Sequence, residues 1–195
     1  RQSLSNQQPA FNAWFFSTVQ IVFAGNDSEG LQYGAIETEA KFFLRWKEDE
    51  QENRHFKLDK YLLKMCAKDR LLELMHDFVL FDGGYKKLPR AHQYFGVKAA
   101  QEHVTAYKGG IIWHTQGSGK SLTMLFLATK LRRQRSLRNP TIVVVTDRTQ
   151  LDTQITKTFG RSGFPDPVRA RDSAQLRDLL RAASGTTIMT TMDRL

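Results

Sequence analysis

Apolar positions along this chain change their spacing part way through, and the change predicts two differently built regions. Trp14–Phe23 (WFFSTVQIVF) is aromatic and β-branched and predicts a strand. Gly25–Gly30 is turn chemistry, and Tyr33–Glu37 predicts the return strand of a hairpin. Phe42–Trp46 is aromatic, and 47–53 is a charged surface stretch. From Lys57 to Phe81 the period becomes helical: Leu58, Leu62 and Met65 share one face, then Leu71, Leu74, Met75 and Phe78. Gly83, Gly84 and Pro89 punctuate the chain and predict a boundary there.

Beyond that point helices and strands alternate. Gln93–Tyr107 predicts a helix and Gly110–Trp113 a short strand. Lys120–Arg133 is a helix with apolar residues on several faces. Thr141–Thr146 is an unbroken β-branched run suited to a buried parallel strand. Gln150–Phe159 predicts a helix, Ser173 caps another bearing Leu176, Leu179, Leu180 and Ala183, and Thr186–Thr191 is a third strand. This alternation predicts an α/β fold with a parallel sheet.

Composition adds little until charge is placed. The 195 residues are 41% hydrophobic and 25% charged, as in a soluble globular chain. No apolar run is long enough for a membrane helix, and no secretory leader is expected. Cys66 lies in an apolar helical run and is expected to be a buried thiol. Five scattered His and one Cys offer no zinc site. The net charge is +9, but residues 1–82 hold 10 Lys+Arg against 13 Asp+Glu, net −3. Residues 83–195 hold 19 against 7, net +12. The basic excess therefore lies wholly in the second region, where it fits a polyanionic partner such as DNA or RNA.

That same region holds the chemistry. Gly117-Ser-Gly119-Lys-Ser121 follows an apolar run and opens a helix, as a phosphate-binding loop does. Glycines bring backbone N–H groups close to phosphates, and the helix adds its positive end. Thr115, Gln116, Gly117, Ser118 and Gly119 would line the phosphates, with Lys120 on the β- and γ-phosphates and Ser121 on Mg²⁺. His114 stands where the general pattern has its first Gly, a departure common among helicase-type motors. Upstream, Gln93 offers the donor and acceptor that adenine's edge requires, while Arg90 is ambiguous and His92 favours a local role. Downstream, Arg148, Thr149 and Gln154 follow the central strand and can hold nucleic-acid phosphates; Thr190 and Thr191 end the third strand and fit a similar role. Alternatively, Asp147 and Arg148 form a local ion pair. The cations 130–138 end a helix and complement its dipole.

RAHQYFGVKAA, GGIIWHTQGSGKSLTMLFLA and IVVVTDRTQLDTQI, in this order, resemble the motifs of the motor subunit of type I restriction–modification enzymes. TTIMTTMDRL resembles the strand ahead of that family's Walker B box. The resemblance implies a partial RecA-like P-loop domain over 89–195, a helical linker over 56–88, and the C-terminal part of an α/β nuclease domain over 1–55. It implies ATP and Mg²⁺ as cofactors, and duplex DNA with modification (methyltransferase) and specificity subunits as partners. It further implies a cytoplasmic site in a bacterium or archaeon, with no membrane role. The activity implied is ATP-dependent DNA pumping and cleavage, with this segment alone inactive because the water-polarising acidic box is not in it. A nucleotide-dependent assembly module and another superfamily 2 helicase are the other readings. Glu39-Ala-Lys41 matches the nuclease E-x-K pattern, but its position after the hairpin argues against that role.

Overall fold

The computed structural model describes residues 2–8, 10–11, 13–48, 56–164, 167–182 and 185–195. The chain divides into two compact units, one of residues 1–80 with 86–95 and one of residues 81–85 with 96–195.

In the first unit, two short helices, α1 (Gln2–Ser5) and α2 (Ala13–Phe16), precede an antiparallel sheet of β1 (Val22–Asn26), β2 (Gly30–Gly34) and β3 (Leu44–Arg45). Val22 pairs with Gly34 and Asn26 with Gly30, so a hairpin forms, but its return strand runs over Gly30–Gly34 and not Tyr33–Glu37. Its turn is set locally, because the Asn26 side chain accepts the Glu29 backbone N–H at 2.7 Å. The predicted strand from Trp14 is corrected: only its last two residues lie in β1, and Trp14–Phe16 is helical. Ser17 donates its hydroxyl to the Trp14 carbonyl, and the Val19 N–H bonds the Phe16 carbonyl. Such local bonds compete with a ladder, and apolar composition alone does not supply a neighbouring strand.

Helices α3 (Lys57–Met65) and α4 (Lys68–Asp77) follow. The phase of the apolar residues resets between Met65 and Leu71, and there the chain breaks at Cys66 and Ala67. Cys66 is exposed, contrary to the expected core thiol, because it caps α3 rather than riding its apolar face. Tyr33, Trp46, Phe78 and Tyr94 are fully buried together, with ring centroids 5.0–5.9 Å apart in successive pairs. Each ring this size contributes about 1.5–3 kcal/mol by leaving water. A short hairpin, β4 (Leu80–Asp82) and β5 (Tyr85–Lys87), turns on Gly83 and Gly84 and leads into α5 (Ala91–Thr105).

The second unit is a parallel three-stranded sheet flanked by helices. α6 (Lys120–Arg133), β6 (Ile142–Thr146), α7 (Thr149–Arg161), β7 (Val168–Arg169), α8 (Ser173–Ala182) and β8 (Thr187–Thr191) follow one another, and the sheet order is β6-β8-β7. β8 is central and buried along its whole length. β6 is parallel as expected but leaves Val143 and Val145 partly exposed, since it pairs on one side only among the described residues. β7 has too short an apolar run to be read from sequence; its register against Ile188 and Met189 makes it a strand.

Three further expectations change here. Gly110–Trp113 is not a strand: it has no ladder partner among the described residues, and Ile111 and Trp113 are 91% and 89% exposed. A strand needs neighbours for its N–H and C=O groups, which no local pattern guarantees. Helix α8 is capped by Asp172, not Ser173: the Asp172 carboxylate accepts the Gln175 N–H, and Gln175 in turn accepts the Arg171 N–H. The Ser173 hydroxyl goes instead to the Arg194 carbonyl. Arg132 does more than offset a helix dipole, since it bonds the Gly185 carbonyl and the Thr187 hydroxyl and stacks over Phe164. Ala183 lies outside the described residues.

Candidate functional site

The phosphate-loop segment is built by its glycines. Gly117 has φ +75° and Gly119 has φ +88°, a region where a Cβ clashes with the backbone. Nothing stands within 4 Å of where a Cβ on Gly117 would be, so the loop is open on that side. Gly119 is the N-cap of α6, and its carbonyl accepts the Thr123 N–H at 3.1 Å. The first turn of the helix therefore begins directly at Lys120. Thr115, Gln116 and Gly117 are exposed, Gly119 and Ser121 half-buried, and Ser118 buried. The Ser118 N–H bonds the Thr115 carbonyl at 3.3 Å, which closes the loop.

Lys120 folds back over this loop. Its ammonium donates to the carbonyls of His114 and Thr115 at 3.1 and 3.0 Å while remaining exposed. A cation is thus held on two loop carbonyls at a helix start, which suits a polyphosphate. The donor set fits a nucleotide triphosphate with Mg²⁺: two left-handed glycines, a Lys, and the Ser121 hydroxyl at the helix entrance. His114 explains its own departure from Gly, since its imidazole lies 3.5 Å from where a Cβ on Gly96 of α5 would stand. It packs the loop's entrance against that helix.

Gln93 sits on the first turn of α5 and is 2% exposed. Its Oε1 accepts the Arg90 N–H at 2.8 Å, the N3-to-N-cap half of a capping box. The carboxamide therefore has a structural task in addition to any reading of a base.

The downstream residues divide. Thr146 and Thr191 are register partners at the carboxyl ends of β6 and β8, with Arg148 and Thr149 just beyond at the start of α7. Arg148 and Thr149 are exposed. Arg148 Nε lies 3.4 Å from Asp147 Oδ2, so the local ion pair forms, but at the surface where it is weak and exchangeable. Gln154 is exposed further along α7, about 140° around the helix from Thr149, and is not at the strand ends. Thr190 and Thr191 are buried, so their side chains are not presented to a partner. The Thr191 hydroxyl, with Asp193's own backbone N–H, holds the Asp193 carboxyl below its ordinary range.

Sequence reasoning missed Asp152. It is fully buried on α7, with Arg169 Nε of β7 at 2.6 Å from its carboxylate. The signal was present, because Asp152 shares the helical face of Ile155 and Phe159. This pair ties the helix that starts at Arg148 to the edge of the sheet. Glu39 and Lys41 form an exposed ion pair at 2.8 Å around a 3-10 turn, not a strand-borne nuclease motif. Among the described residues no cluster of three or more metal-ligating side chains occurs, and no helix is long and apolar enough to cross a membrane.

Comparison with known proteins agrees with this geometry. The SWI2/SNF2 ATPase family matches residues 92–195. The HindI endonuclease subunit of a type I restriction enzyme from Haemophilus influenzae is 38% identical over 176 residues, covering 78% of this chain and 17% of that protein. A Methanocaldococcus jannaschii protein named for the same kind of subunit is 34% identical over 152 residues, covering 73% and 14%. The SauCOLORF180P endonuclease subunit of Staphylococcus aureus is 25% identical, covering 89% and 18%. The chain thus spans less than a fifth of each of these relatives. With a glycine-rich loop opening a helix inside the matched region, this chain belongs to the SWI2/SNF2 ATPase family and is similar to the endonuclease subunits of type I restriction enzymes.

Proposed function

We propose that this chain is the ATP-binding part of an ATP-dependent DNA translocase within a type I restriction endonuclease. The observation that carries the reading is Lys120, held over a loop whose two glycines have positive φ at the start of a long helix. In this reading, backbone groups of 115–119 seat the phosphates. Lys120 leaves the His114 and Thr115 carbonyls for the β- and γ-phosphates, Ser121 reaches Mg²⁺, and Gln93 reads the adenine edge. The bound nucleotide supplies the phosphoanhydride whose cleavage drives the motor. Arg148 and Thr149 meet DNA phosphates from the carboxyl end of the sheet, whereas Gln154, further along α7, and the buried Thr191 take no side-chain part in that contact.

The same proposal assigns the chain three parts. Residues 89–195 form the front of a RecA-like motor domain, 56–88 a helical linker, and 1–55 the end of a nuclease-like domain. The whole enzyme works in the cytoplasm with modification and specificity subunits on duplex DNA.

Titration calorimetry with Mg·ATP tests the site. Lys120→Ala should lower affinity at least about tenfold, because it removes the only side-chain cation of the loop. Binding unchanged by this substitution would overturn the phosphate-loop assignment.

A further inference from the structure

In the first unit, residues 41–47 and the start of α5 enclose a pocket of about 570 Å³. Lys41, Phe42 and Lys47 line one wall, and Arg90, His92 and Phe95 the other. All six side chains are exposed, so the cations and rings face an open mouth. Lys41 is balanced by Glu39 and also lies 4.8 Å from the Phe42 ring centroid. Lys47 and Arg90 enter no ion pair among the described residues.

This pocket is not the place where Gln93 would read a base. Gln93 and Phe95 are two positions apart, hence about 160° around the helix. Gln93 faces inward, with its carboxamide on the Arg90 N–H, whereas Phe95 opens outward. Lys41 already lies over Phe42 and Arg70 over Phe95, which leaves Lys47 and Arg90 beside the two rings as the cations open to a separate ligand.

We propose that the pocket seats a nucleotide of a single-stranded nucleic acid. Lys47 and Arg90 take its phosphate, and Phe42 or Phe95 takes its base. A simple anion would need the cations alone, and an apolar ligand the rings alone. A nucleic-acid strand presents a phosphate and a flat base within one residue, which is the combination that the walls display. Recognition is tolerant of sequence, since stacking uses the face that every base has.

The test is fluorescence anisotropy of the 195-residue chain with a labelled oligothymidylate, in wild type, Phe42→Ala and Lys47→Glu. Both sites are at the surface, and circular dichroism checks that each variant remains folded. Lys47→Glu should weaken binding about tenfold and make the salt slope shallower by about one. Phe42→Ala should weaken the oligothymidylate several-fold while leaving a duplex of equal length nearly unchanged. Thymidine monophosphate and polyglutamate should compete poorly. Binding unchanged in both variants overturns the proposal. So does equal loss on strand and duplex. Displacement by the mononucleotide as effective as by the strand assigns the pocket to a free nucleotide. Displacement by polyglutamate assigns it to an acidic protein segment.

Discussion

The carboxylate of Glu48 is pulled in two directions. Partial burial raises its pKa, but the Arg70 guanidinium at 2.7 Å and the Trp46 indole N–H at 3.1 Å favour the charged form. Lys64 adds to them, and the pKa falls below its ordinary 4.5. Arg70 also lies over the rings of Trp46, Tyr94 and Phe95, so this ion pair clamps the aromatic core of the first unit. The unfolded carboxyl titrates near 4.5, higher than the folded one. Its contribution to stability is therefore complete above that pH and is lost as pH falls through the lower folded value. Glu48→Gln should destabilise by about 1 kcal/mol at neutral pH, a modest figure because solvent screens the pair. The deficit against wild type should shrink in urea melts as pH is taken progressively below 4.5. An equal deficit at every pH would show that packing of the side chain, not its charge, matters.

At the level of elements, legibility followed how local each element's cause is. Helices α5, α6 and α7 announce themselves through spacing and first-turn chemistry, and they form within a few residues of expectation. The turn at Asn26–Gly30 is local too. The failures share the opposite cause. Gly110–Trp113 has the composition of a strand without a ladder partner, and Val168–Arg169 is a strand only because Ile188 and Met189 lie beside it. The site followed the same division. The candidate phosphate loop is contiguous and could be proposed from the sequence directly, whereas the Asp152–Arg169 pair joins elements that only the fold brings together. The cap of α8 is a local device whose residue was misplaced by one position. Asp172→Ala removes the acceptor for the Gln175 N–H and should cost about 1 kcal/mol. The corresponding drop in melting temperature is about 2–4 °C by calorimetry. Ser173→Ala should cost less at the helix start, since its hydroxyl serves the Arg194 carbonyl. If the Ser173 variant proves the more damaging, the capping assignment is wrong.

For the whole molecule the decisive property is how charge is divided. Residues 1–82 carry −3 and 83–195 carry +12; within the latter the matched ATPase region, 92–195, holds 16 Lys+Arg against 7 Asp+Glu, net +9. A chain with this division should bind duplex DNA through the second region mainly by displacing counterions, with little dependence on sequence. If about four phosphates are neutralised, the logarithm of affinity falls with that of salt at a slope of about −4. Raising salt from about 50 to 200 mM then weakens binding by about two orders of magnitude. Arg148 is the exposed cation just beyond the carboxyl end of β6, and its surface pair with Asp147 is too weak to hold it from a phosphate. Arg148→Ala should make the slope shallower by about one and weaken all duplexes alike. Asp69→Ala, on the acidic half, should leave the slope unchanged. Anisotropy titrations across that salt range measure both. A slope near zero would remove the electrostatic basis of DNA binding, and an unaltered slope in Arg148→Ala would move the contact elsewhere on the second region.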